Sequence, residues 1–125
     1  MRNLWSKIFL LAALGFFIPA TGQAASAFIE GMEDVPLMRG LAQKASDDIS
    51  FGNAETRYVE ALLSSSKVGF KAVEKFYTET LPQLGWTYQG KRDNTLIFYR
   101  DGEALTIARE ESRPLKVRIT VRSKM

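Results

Sequence analysis

Phe70-Lys71-Ala72-Val73-Glu74-Lys75-Phe76-Tyr77-Thr78-Glu79-Thr80-Leu81-Pro82-Gln83-Leu84-Gly85-Trp86 carries the clearest helical period in the chain. Phe70, Val73, Phe76, Tyr77, Leu81 and Leu84 recur at three- and four-residue steps, and Lys71, Glu74, Lys75 and Glu79 fall on the other side. The period predicts an amphipathic helix from about Lys67 to Leu84. Pro82 costs little where a helix is ending, and Gly85 suits the left-handed residue that stops it. Ser64, Ser65 and Ser66 stand just before the pattern, where a hydroxyl can accept from the free amides of a first turn. Trp86 then begins a strand through Tyr88.

The flanks read as strands. Thr95 to Arg100 is rich in β-branched and aromatic residues, Asp101-Gly102 is a strong two-residue turn, and Glu103 to Arg109 is the return strand. Leu115 to Arg122 alternates without a slip: Leu115, Val117, Ile119 and Val121 face a core, and Lys116, Arg118 and Arg122 face outward. Upstream, Asp48 to Phe51 and Thr56 to Leu63 form a hairpin about Gly52-Asn53, with Val59, Ala61 and Leu63 on one face. From Phe28 to Ala45, Gly31, Pro36 and Gly40 interrupt every period. That segment reads as an extended arm, too apolar for a solvated tail, packed on its own domain or on a partner. The expected fold is α+β: an arm over 28–47, then one domain over 48–125 in which a single helix packs on an antiparallel sheet of four to six strands.

The first residues carry an address. Arg2 and Lys7 mark a charged start, Ile8 to Ile18 is apolar, Pro19 breaks the run, and Ala20, Ala24, Ala25 and Ala27 follow. This is the order of a secretory signal peptide, 1–27, with a cut after Ala27 and an alternative after Ala24. The apolar run is short of the roughly 20 residues a membrane span needs. The expected product is periplasmic or secreted, with no stable membrane anchor. Its loss removes Arg2 and Lys7 and leaves 15 basic against 14 acidic residues, a balance that does not point to nucleic acid. From Phe28 to Glu55 six acidic residues outnumber two basic ones, and from Thr56 onward 13 basic residues outnumber 8 acidic ones. The chain has no cysteine, so disulfides and a lipid-modified N-terminus are excluded and the core alone must hold the domain.

The chain has no histidine either, so imidazole bases, thiolate nucleophiles and the commonest zinc ligands are all missing. The expectation is a protein that is not an enzyme and carries no cofactor or metal. Ser64 to Ser66 with Lys67 or Lys71 as base is weaker than a helix cap. The pairs Asp47-Asp48 and Glu110-Glu111 lack the spacing of a calcium loop, and adjacent strand residues point to opposite faces. Phe76, Tyr77, Trp86, Tyr88, Phe98 and Tyr99 mostly follow core periodicity, with Tyr88 and Tyr99 free to line a groove.

The junction Phe76 to Trp86, of the form FY…LP.LGW, resembles the helix-to-strand junction of a group of small exported bacterial proteins. Phe28 to Met38 resembles an arm found in some of them. The resemblance implies export and a helix-on-sheet fold, and carries over no activity and no site residues.

The residue types leave a non-catalytic module that binds another envelope protein as the expected function. The candidate contacts are Phe28, Met32, Leu37 and Met38 of the arm and the basic residues Arg109, Lys116, Arg118 and Arg122, which can equally be the water-facing side of an edge strand. The alternative is a small-molecule or lipid-binding domain with a groove between helix and sheet.

Overall fold

The computed structural model describes residues 27–44, 49–52 and 56–123, so residues 1–26 of the leader, Asp47, Asp48 and Asn53 lie outside the described residues. Among the described residues nine strands run in chain order: β1 (Phe28–Ile29), β2 (Met32–Pro36), β3 (Ala42–Gln43), β4 (Ile49–Gly52), β5 (Arg57–Ser65), then β6 (Thr87–Arg92), β7 (Thr95–Arg100), β8 (Glu103–Ser112) and β9 (Leu115–Ser123). Between β5 and β6 lie α1 (Phe70–Thr80) and a 3-10 turn (Leu81–Leu84). Seven strands form one antiparallel sheet in the order β3-β5-β9-β8-β7-β6, with β4 also paired to β5. This is an α+β arrangement. The count exceeds the expected four to six strands because β3 and β4 share one edge of β5, at Leu63–Ser64 and Arg57–Glu60 respectively.

The helix starts at Phe70, three residues after the expected Lys67, and its N-cap is Gly69, without a side-chain bond. The serines do another job: Ser65 Oγ accepts from the amides of Lys67 and Val68 at 2.9 and 3.1 Å and closes the turn that ends β5. At the other end the last turn tightens at Pro82, and Gly85 stops it with φ +95°. Gly85 N–H donates to Pro82 O and Trp86 N–H to Leu81 O, which tucks the buried Trp86 against the helix end.

Parity sorts the sheet into two faces. Val59, Ala61 and Leu63 of β5, Leu115, Val117, Ile119 and Val121 of β9, Leu105 and Ile107 of β8, and Leu96 and Phe98 of β7 are buried together beneath Val73 and Tyr77 of the helix and Leu81 of the 3-10 turn. Each large side chain taken from water there contributes roughly 1.5–3 kcal/mol.

The helix does not cover this face alone. Residues 28–36 close into the hairpin β1-β2 rather than continuing as an extended arm, because Gly31 at φ +92° permits a tight reversal. The turn lies against β5, where a Cβ on Gly31 would stand 3.6 Å from Val59. Ile29, Met32, Val35 and Leu41 belong to the same core as the helix and sheet. Tyr77 locks the join: its hydroxyl donates to Pro36 O at 2.7 Å and accepts from Met38 N–H at 3.2 Å. Gln43 ties the turn down again, exchanging hydrogen bonds with the backbone of Glu30.

Candidate functional site

The other face of the sheet carries no described helix or strand. Tyr58, Glu60, Leu62 and Ser64 of β5 lie beside Lys116, Arg118, Thr120 and Arg122 of β9. Thr106 and Ala108 of β8 and Ile97 and Tyr99 of β7 continue it towards the far edge. Short Thr and Ala side chains occupy the middle, and Tyr58, Leu62, Ile97 and Tyr99 are only partly covered or exposed.

The basic stripe expected on this face is largely neutralised. Arg118 donates to Glu60 at 2.7 Å and to Glu110 at 2.6 Å, and Tyr58 also donates to Glu60 at 3.1 Å. The Glu110 hydrogen bond holds the Arg118 guanidinium above its ordinary pKa, and the same bond holds Glu110 below the ordinary carboxylate value. Burial, then the carboxylate of Glu60, pushes the Tyr58 phenol up. Glu60 is only 7% exposed, so Arg118 serves first to satisfy it. Lys116 pairs with Glu111 at 3.6 Å. Arg109 is not part of the stripe at all: it is opposite Val117, so it shares the core face, where its guanidinium stands 5.9 Å from the Phe70 ring. The bulge between Arg109 and Glu111 restores parity afterwards. Arg122 is exposed, and it has no ion pair among the described residues.

The arm residues also separate. Met32 is fully buried and unavailable to a partner in this fold, because the hairpin turns it into the core. Leu37 and Met38 pack against the core from its rim, and Phe28 is 51% exposed. Of the aromatic set, Tyr77, Trp86 and Phe98 are core, while Tyr88 and Tyr99 are 38% and 39% exposed. Tyr99 lines an open cavity of about 340 Å³ with Thr87, Gln89 and Asp101. Glu110 and Glu111, read as possible metal ligands, are each engaged by a cation.

A charge cluster at one end of the core face has no sequence signal, because its members lie far apart in the chain. Arg57 donates to Glu103 at 2.6 Å, Arg100 donates to Asp34, and Arg57 lies 3.6 Å from Asp34. Burial raises the Asp34 carboxyl, but the Arg100 hydrogen bond, a backbone hydrogen bond and the two guanidinium charges outweigh it and leave the pKa below the ordinary value. The Glu103 hydrogen bond, against burial, raises Arg57. Arg100 also lies 4.1 Å above the Trp86 ring and donates to Leu84 O at 3.1 Å. This cluster fastens β2 to the sheet and to the end of the helix. Comparison of the chain with protein-family models, curated proteins and solved structures finds no match.

Proposed function

We propose that this chain is an exported, non-catalytic module that binds another envelope protein through the open face of its sheet. The observation that carries the reading is the division of labour between the two faces. The helix and hairpin together occupy one face, which takes the arm out of consideration as the main contact. The other face presents Tyr58, Leu62, Ile97 and Tyr99 around short Thr and Ala side chains, a mixed surface with aromatic anchors of the kind protein interfaces favour. Charges there are mostly paired with each other, which lowers the cost of covering them, and Arg122 is left to meet an acidic group.

The test is crosslinking in intact cells followed by capture of the protein from the envelope fraction. Thr106→Arg places a long charged side chain at the centre of the open face. It should abolish the crosslinked product while leaving the thermal midpoint unchanged. Lys75→Glu, on the solvent side of the helix, should leave the product in place. Capture that is insensitive to Thr106→Arg and lost with Lys75→Glu moves the contact to the helix and overturns the reading.

A further inference from the structure

With Ser65 Oγ committed to its own turn, the neighbouring Ser64 and Ser66 are not used in capping the helix. Ser66 lines a cavity of about 420 Å³ together with Lys67, Ser112 and Arg113, and with Val68, Pro114 and Leu115 as its apolar wall. Across the ridge Ser65–Lys67 a second cavity, of about 410 Å³, is lined by Ser64 and by Gly40, Leu41 and Ala42. The shared ridge makes them one saddle, built where three segments converge: the end of β5, the β8-β9 turn and the turn at Gly40. The approach of that last turn is close, since a Cβ on Gly40 would stand 3.0 Å from Val68.

The lining is chemically one-sided. Among the described residues it holds two cations and four serine hydroxyls, and no carboxylate. Arg57, Lys91, Arg100, Lys116 and Arg118 each face an acidic partner, whereas other described cations, Arg122 among them, do not. Lys67 and Arg113 have no such partner among the described residues, although they share a cavity.

We infer that this saddle binds a phosphate-bearing ligand. Lys67 supplies a point charge, Arg113 a planar fork of donors, and Ser66 and Ser112 hydroxyl donors, a set matched to a tetrahedral phosphate oxyanion, which carries about −1 as a diester and about −1.5 to −2 as a monoester. A neutral ligand would cover both cations without replacing their water. A bare phosphate underfills the cavity, so the ester's organic part lies along Val68, Pro114 and Leu115. Two sources share this chemistry, a soluble phosphorylated molecule and the headgroup of an anionic lipid.

Amide NMR titration of the exported protein separates them, using inorganic phosphate as one probe and phosphatidylcholine vesicles with or without phosphatidylglycerol as the other. Phosphate should shift amides in 64–68 and 112–115 saturably. Lys67→Gln and Arg113→Gln, both exposed side chains, should each weaken binding roughly tenfold. Lys116→Gln should not. A response to phosphate without vesicle binding assigns a soluble ligand, and flotation with phosphatidylglycerol vesicles alone, lost in both variants, assigns the headgroup. No response to either probe, or binding that survives Lys67→Gln with Arg113→Gln, overturns the inference.

Discussion

Tyr77 uses one hydroxyl to join two segments of the chain, and its removal should be felt in both. Tyr77→Phe leaves Pro36 O and Met38 N–H without their shared partner in a water-poor setting, at a cost of about 1–3 kcal/mol. Urea unfolding should show it as a lower midpoint with an unchanged slope. Burial raises the Tyr77 pKa well above the ordinary phenol value of 10.0, against a smaller lowering by the Met38 amide. A raised pKa contributes stability that is fully present below the unfolded value and is lost as pH rises towards the folded one. Wild type should therefore lose stability above pH 10, and Tyr77→Phe should flatten that alkaline limb. Asp34 works in the opposite sense. Its pKa is depressed, so its contribution is present above the ordinary 3.8 and is lost as pH falls through the folded value. Asp34→Asn should lower the midpoint at neutral pH and converge with wild type in acid. The difference should stay below about 1 kcal/mol, because the side chain is 35% exposed and water screens the pair.

The hairpin β1-β2 is where the element scale departs most from a reading of the residues. If it is part of the core, deleting 28–44 should abolish cooperative thermal unfolding rather than trim a tail, and Met32→Ala should cost about 2–5 kcal/mol by calorimetry. An arm held outside the core would tolerate both. The strands of the meander were legible in their own residues: Thr95–Arg100 has the expected bounds, and the alternation of Leu115 to Val121 is the alternation of burial. The hairpin was not, because Ile29, Met32 and Val35 follow neither a period of two nor one of 3.6, and Gly31 decides their direction. The helix starts later than its apolar period suggests for a local reason, since Ser65 bonds to the amides of its own turn and Gly69 takes the cap. The open face was half legible. Alternation places Lys116 and Arg118 outward, but their partners Glu60, Glu110 and Glu111 come from neighbouring strands and depend on register. Unbroken alternation from Leu105 and Ile107 places Arg109 opposite Val117 on the other face, before the bulge that follows it.

Across the whole molecule, the hairpin bears on where an exported form should begin. Phe28 is paired with Pro36, and Ala27 O accepts from Leu37 N–H at 2.8 Å, so the first strand is closed by a residue that a cut after Ala27 would remove. That hydrogen bond is worth about 0.5–1.5 kcal/mol. A cut there would also place a new charged amine on Phe28, at the edge of the core. A cut after Ala24 leaves Ala25, Ser26 and Ala27 in front of the strand and keeps the acceptor. Small side chains at Gly22 and Ala24 satisfy the same peptidase pockets that Ala25 and Ala27 would. For the export proposed above, the Ala27 hydrogen bond is kept by the alternative cut after Ala24 and lost by the cut after Ala27. Intact-mass analysis of the periplasmic fraction should find a chain beginning at Ala25. A chain engineered to begin at Phe28 should unfold at a lower temperature than one beginning at Ala25. Recovery of an exported product starting at Phe28, with the two engineered forms equally stable, would show that the Ala27 bond does not bear on processing. A product still starting at Met1 in the cytosol would remove the exported module and its envelope partner together.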